Sequence, residues 1–139
     1  MFRDEIEKLQ IKAMKSNSAL VLVIEDNPSQ QRFFSLIEEN VGMVCCVVDS
    51  CSTALELLKY VRFNLIMLDL QMPSVEAIHC AREIRLLEFE SGFKTPIIAV
   101  TANAMPGDRE KCLDAGADDY LPKPFPLVQL KKMIAQWAA

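Results

Sequence analysis

The chain has no apolar run approaching the roughly 20 residues that span a bilayer, although 51% of its 139 residues are hydrophobic. It has no basic excess either. Lys and Arg number 15 against 19 Asp and Glu, for a net charge of −4, which disfavours non-specific nucleic-acid binding, since that needs a basic face. Histidine occurs once, at His79, and no C-x-x-C pair occurs, so the paired spacing of a zinc site is missing. The charged N-terminus lacks the apolar core of a signal peptide, so a cytoplasmic location without membrane contact is expected. The five cysteines are Cys45, Cys46, Cys51, Cys80 and Cys112. An odd number in a chain without an export signal argues against a disulfide framework, and all five are expected to be buried small hydrophobes or idle surface thiols. There is no internal repeat and no low-complexity tract, and the length fits one domain with a full hydrophobic core.

Against these absences stand four short apolar runs, each ending in a polar residue. Leu20 to Ile24 runs into Glu25-Asp26, Leu65 to Leu68 into Asp69, Ile97 to Val100 into Thr101, and Tyr120-Leu121 through Pro122 into Lys123-Pro124. Apolar runs of this length, bounded by polar residues, read as buried parallel strands. In an open parallel sheet, ligands bind just beyond the carboxyl ends of the strands. That edge would here collect carboxylates, a hydroxyl and an ammonium, a set suited to a divalent cation and a phosphoryl group.

Between the runs the pattern turns helical. Residues 1–17 are charged, with Phe2, Ile6, Leu9 and Ala13 at helical spacing. They read as an amphipathic helix, either a frayed terminus or a linker from an upstream domain, and the body of the chain is expected over 18–139. Strand 19–25 precedes a helix from Pro28 to about Asn40, with Asn27 as its cap. Strand 43–48 precedes a helix capped by Ser50 or Ser52 and running to about Val61. Strand 64–68, helix 75–90, strand 97–101, helix 106–115, strand 118–121 and helix 125–137 complete the body. Five strands alternating with five helices specify an α/β domain with a parallel sheet and right-handed crossovers.

The chemistry of the edge follows from its charges. Two carboxylates about 4 Å apart repel by roughly 4 kcal/mol at an effective dielectric near 20, so Glu25, Asp26 and Asp69 together call for a cation or a proton. A donor set of oxygen alone favours a hard ion, and Mg²⁺ (or Mn²⁺) fits a site that keeps several waters. Asp69 is the nucleophile candidate, since a carboxylate can attack phosphorus to give an aspartyl-phosphate. Lys123 can pair with one phosphoryl oxygen as a point charge, and the Thr101 hydroxyl can donate to another. Ala102 is small enough to leave the phosphorus approachable. Pro124 fixes the strand-to-helix turn that aims Lys123, and a cis bond before it is compatible with such a turn.

Taken in order, Glu25-Asp26-Asn27-Pro28, Asp69-Leu70-Gln71-Met72-Pro73, Val100-Thr101-Ala102-Asn103-Ala104, Ala115-Gly116-Ala117-Asp118-Asp119-Tyr120 and Lys123-Pro124-Phe125 resemble the receiver domain of two-component response regulators. The likeness covers residues 18–138. The first and third pieces look like receivers of hybrid sensor histidine kinases, with residues 1–17 then a linker, and a free-standing single-domain shuttle is the other version. The resemblance implies a flavodoxin-like (βα)5 fold, a doubly wound five-stranded parallel sheet between two helical layers. It implies that Asp69 accepts a phosphoryl group from a phosphohistidine on a histidine kinase or a histidine phosphotransfer protein. Mg²⁺ would be held by Glu25, Asp26, Asp69 and the backbone carbonyl of Gln71. Thr101 and Lys123 would contact the phosphoryl group, with Tyr120 as the switch aromatic, while Gln71 and Asn103 would tune loss of the phosphoryl group. The readout would be the fourth helix, fifth strand and fifth helix of the alternating body, roughly 105–136, and homodimerisation is open. Such a domain assists its own phosphoryl transfer and dephosphorylation without being an enzyme in the ordinary sense. Ala77 stands where the family commonly has glycine, so the loop after Asp69 is expected either to take another path or to strain the alanine.

Three other readings compete. A flavin-binding electron carrier would need a Ser/Thr/Gly-rich phosphate loop after the first strand, where Glu25-Asp26 stands instead. An aspartate-nucleophile phosphatase would need a second aspartate two residues after its nucleophile, and Pro28 stands at that spacing from Asp26. A pseudo-receiver acting only as a docking module would be expected to have lost Asp69 or Lys123. No output domain follows Trp137, so direct DNA binding by this chain is not expected.

Overall fold

A computed structural model describes residues 2–69, 73–102 and 105–138. The elements in chain order are α1 (Phe2–Ser16), β1 (Ala19–Glu25), α2 (Pro28–Val41), β2 (Met43–Val48), α3 (Cys51–Leu58) and β3 (Leu65–Asp69), followed by α4 (Pro73–Ser91), β4 (Ile97–Thr101), α5 (Asp108–Ala115), β5 (Asp119–Pro122) and α6 (Leu127–Trp137). The strands form one sheet in the order β2-β1-β3-β4-β5, and every pairing is parallel. The chain leaves β1 for β2 on one side and returns to β3 on the other. The switch point therefore lies between the carboxyl ends of β1 and β3, where this topology opens a crevice.

Strand alternation sorts the core into two layers. Val21, Val23, Met67, Val100 and Leu121 face Phe34 and Ile37 of α2 and Leu130 and Ile134 of α6. Leu22, Ile24, Ile66, Leu68 and Ala99 face the other way, toward Ala54, Ala81, Ile84 and Cys112 of α3, α4 and α5. The strands are apolar on both faces because both faces are covered. The helix α1 joins the second layer, burying Ile6 and Ala13, and its Lys12 Nζ reaches Glu38 Oε2 of α2 at 3.5 Å.

Local chemistry sets the boundaries. Asn27 Oδ1 accepts from the backbone N–H of Ser29 and Gln30, and Pro28 fills the first helical position of α2. Ser50, of the two serine candidates, caps α3 through the Thr53 N–H. That helix ends at Leu58 rather than near 61, and α4 starts two residues earlier than expected, at Pro73. Ala77 is consequently an interior helical residue, 2% exposed. Among the described non-glycine residues only Asn17 has positive φ, so Ala77 carries no such strain, while residues 70–72 of the loop lie outside the described residues.

One expectation is overturned. Cys51 and Cys80 are joined in a disulfide between α3 and α4, while Cys45, Cys46 and Cys112 are free and buried. The pairing depends on two helices lying side by side, which brings Cα atoms 29 residues apart in sequence to 5.8 Å, inside the range a disulfide requires.

Arg85 of α4 ties the helical layer to the sheet. Its Nε donates to Gly116 O at 2.9 Å, Nη1 to Thr95 O at 2.9 Å and Nη2 to Asp118 Oδ2 at 2.7 Å, and the same Asp118 oxygen accepts the Ile97 N–H at 2.9 Å. Thus one guanidinium positions the starts of both β4 and β5. Gly116 sits against it at φ +123°, and a Cβ there would come 2.7 Å from Arg85 Cγ. Gly116→Ala is expected to cost about 1–3 kcal/mol, from positive φ and overpacking together, measurable by urea denaturation. Gly42→Ala, with positive φ but open space around the Cβ, is expected to cost less.

Candidate functional site

The crevice at the switch point is built by register. Glu25 at the end of β1 pairs with Asp69 at the end of β3, Asp69 pairs with Val100 just before Thr101, and Thr101 pairs with Pro122 just before Lys123. Four chemically active residues from four strands thus reach one edge. Glu25, Asp69 and Thr101 are each 2% exposed or less. Two buried carboxylates on adjacent strands would be untenable in isolation.

Lys123 supplies the compensating charge. Its Nζ lies 2.7 Å from Asp69 Oδ2 and 3.7 Å from Glu25 Oε1, and it donates to Gln30 Oε1 at 2.9 Å. The backbone fixes this reach. The Lys123 N–H donates to Thr101 O at 2.7 Å, and the Lys123–Pro124 peptide is cis. Gln30, in the first turn of α2, was not singled out in the sequence. Its signal would have been its place one turn beyond the Glu25-Asp26 pair, on a helix that starts at the same edge.

The acids remain under electrostatic load. Burial pushes the Glu25 carboxyl up to about 8, against the pull of the Asn27 N–H and with a further push from Asp69. The Asn27 N–H donates to Glu25 Oε2 at 3.0 Å. Burial also raises Asp69, while Lys123 draws it back down and the charge of Asp26 adds to the rise. Glu25 Oε1 and Asp69 Oδ2 receive no hydrogen bond among the described residues. The Lys123–Asp69 contact, at 2.7 Å, is an ion pair. Asp26 is exposed at the mouth.

Two buried carboxylates that share one ammonium, beside an exposed third acid, fit a hard cation that keeps part of its water shell. Among the described residues no group of three acid, imidazole or thiol side chains is arranged to hold a metal ion by itself.

The other expected site residues lie at the edge, behind it or outside the described set. Thr101 ends β4 at the edge, and Ala102 is exposed beside it. Pro124 follows Lys123 across the cis bond. Tyr120 points inward at 9% exposure, beside Thr101, Asp108 and Cys112 around a narrow internal gap. Its hydroxyl is buried with no hydrogen-bond partner among the described residues, so it is not a half-buried ring with its hydroxyl in water. Burial and the Asp108 charge both push the phenol up. Gln71 and Asn103 lie outside the described residues.

The raised Glu25 carboxyl has a consequence for stability. A carboxyl whose folded pKa lies above its unfolded value near 4.5 contributes stability below that value and loses it as pH rises toward the folded pKa. In chelator-treated protein, Glu25→Gln is expected to gain stability relative to wild type as pH rises from about 4.5 to about 8. Thermal melts of the two proteins across that window check the sign.

The family model of the response regulator receiver domain matches residues 21–135. The sensor histidine kinase GacS of Pseudomonas protegens is 34% identical over 125 residues, covering 89% of this chain and 14% of its own length. The chain thus spans about one seventh of that relative. Among solved structures, the receiver domain of the sensor histidine kinase PA1611 from Pseudomonas aeruginosa, with a magnesium ion coordinated in its active site cleft, superposes with a TM-score of 0.74 at 36% identity, covering 87% of this chain and 98% of that one. The receiver domain of Ssk1, co-crystallised with the histidine phosphotransfer protein Ypd1 of Saccharomyces cerevisiae, gives a TM-score of 0.75 at 30% identity over 87% of this chain and 89% of the matched one.

Proposed function

This chain belongs to the response regulator receiver domain family, and on that premise we propose that Asp69 is its phosphoacceptor, loaded from a phosphohistidine on a histidine kinase or histidine phosphotransfer protein. The observation that carries the reading is the Lys123 ammonium, 2.7 Å from the buried Asp69 carboxylate. A surface lysine has no reason to enter a strand-end crevice, whereas a phosphoryl site needs a cation there before the charge arrives.

In the transfer step an Asp69 carboxylate oxygen attacks phosphorus. The O–P bond forms as the P–N bond to the imidazole breaks, and the electron pair leaves with the ring nitrogen. Lys123 pairs with a phosphoryl oxygen in exchange for its contact with Asp69, and the Thr101 hydroxyl donates to another. Glu25, Asp26, Asp69 and the Gln71 backbone carbonyl would hold Mg²⁺ or Mn²⁺. When bound, the ion neutralises charge on the carboxylates and the entering phosphoryl group. Gln71 and Asn103 would tune hydrolysis, a role that rests on the family resemblance alone.

The output is a population shift. The phosphoryl group adds nearly two negative charges, and moving a two-state equilibrium from 1:99 to 99:1 takes about 5.5 kcal/mol of differential interaction. Lys123 and Thr101 bind the new group directly, and Tyr120 packs next to Thr101, so the displacement spreads to α5, β5 and α6. That face meets the downstream partner or a second copy of the domain. Residues 1–17 serve as the linker to an upstream kinase module in a cytoplasmic hybrid kinase. No described helix is long and apolar enough to cross a membrane. The docking-module alternative is disfavoured by the retention of both Asp69 and Lys123.

Acetyl phosphate with Mg²⁺ is expected to add one phosphoryl group to the wild type and none to Asp69→Asn, read by intact mass. Equal labelling of that variant would overturn the assignment. Lys123→Ala is expected to keep the fold and still accept the phosphoryl group more slowly, while amide chemical shifts over 108–136 no longer respond to it. A wild-type response in those shifts would remove Lys123 from the switch.

A further inference from the structure

The disulfide between α3 and α4 lies outside the phosphoacceptor chemistry, and the five cysteines divide sharply around it. Cys45, Cys46 and Cys112 are buried, at 6%, 4% and 3% exposure. Burial pushes the Cys45 thiol far up, with Glu38 adding to the rise, pushes Cys46 up to about 11, and raises Cys112. Such thiols are poor nucleophiles at neutral pH. Cys45 and Cys46 cannot pair with each other, because they point to opposite faces of the sheet.

Cys51 differs on both counts. It is half-buried rather than buried, and it is the first residue of α3, directly after the Ser50 cap, where backbone dipoles favour negative charge. Its neighbour Cys80 has no exposure at all, yet its Cα lies 5.8 Å from that of Cys51. One thiol is reachable from solvent, and the other is reachable only through the first. We propose that Cys51 and Cys80 form a reversible thiol–disulfide site, with Cys51 the entry thiol and Cys80 the resolving thiol, exchanging with a low-molecular-weight disulfide of the glutathione class.

The exchange balances in two steps. The Cys51 thiolate attacks one sulfur of the small disulfide, whose S–S bond breaks and whose other sulfur leaves as a thiolate and takes a proton. The Cys80 thiolate then attacks Cys51 Sγ in the mixed disulfide and expels the second small thiol. The protein dithiol is oxidised to a disulfide and the small disulfide is reduced to two thiols. Reduction is the reverse. In a compartment kept reducing by such a pool, a disulfide is of the sensing rather than the framework kind. The ring it closes runs from the start of α3 through β3 and Asp69 into α4, so oxidation ties together the two helices on either side of the acceptor segment.

The test uses the full chain, as wild type, Cys51→Ser and Cys80→Ala, equilibrated with glutathione and its disulfide at graded ratios, acid-quenched, alkylated and peptide-mapped by mass spectrometry. The wild type is expected to show one intramolecular link, between the peptides of Cys51 and Cys80, which appears and disappears reversibly with the ratio, while Cys45, Cys46 and Cys112 stay reduced. Cys80→Ala is expected to accumulate a glutathione adduct on Cys51, and Cys51→Ser to carry no adduct on Cys80. The melting temperature should rise on oxidation in wild type and stay constant in Cys51→Ser, a substitution at a half-exposed position that far-UV circular dichroism can certify as folded. An adduct on Cys80 in Cys51→Ser, a link through any other thiol, or a Cys51–Cys80 state that ignores the glutathione ratio would overturn the proposal.

Discussion

The site depends on one ammonium held against two buried carboxylates. Glu25 and Asp69 end adjacent strands in register, and a hydrophobic sheet offers them no water. Lys123 reaches both acids and is itself steadied by Gln30. The balance is incomplete, since Glu25 and Asp69 both remain raised. In the proposed phosphoryl site that deficit would attract added positive charge, and the Lys123 ammonium would pair with added phosphoryl oxygens. Stability and chemistry draw on the same three side chains.

The fold makes the arrangement repeatable. In the order β2-β1-β3-β4-β5, β1, β3, β4 and β5 all present carboxyl ends on one side, so residues 25, 69, 101 and 123 meet although 98 positions separate the first from the last. The opposite edge is tied down by Arg85, whose contacts with Thr95, Gly116 and Asp118 position the starts of the two strands that lead into Thr101 and Lys123. A helical residue far from the crevice thereby sets where the crevice's hydroxyl and ammonium emerge.

The remaining helices surround this core unequally. On one side α2 and α6 pack directly on the sheet. On the other, α1 adds to the layer of α3, α4 and α5, and a disulfide joins α3 to α4. The segment between those cysteines carries Asp69. Membership in the receiver family accounts for the sheet, and the thiol pair lies in the helical layer beside it.

The alternation of apolar runs with helical patterns was enough to read five parallel strands, and each run named its own terminal residue. Glu25, Asp69, Thr101 and Lys123 were legible because a strand's end is a local property of hydrophobic patterning. Helix limits were less so. Proline at 73 is tolerated in a first helical turn, and this let α4 begin before Ala77 and removed the expected conflict there. Gln30, the Arg85 contacts and the Cys51–Cys80 bond were not legible, since each joins elements whose relative placement no local pattern encodes. Sequence alone determined which groups stand at the strand ends, because burial periodicity is written residue by residue. Only the tertiary structure decided that Lys123 faces Asp69 at ion-pair distance, that Tyr120 turns inward and that two thiols meet, because distances between elements follow from how whole surfaces pack.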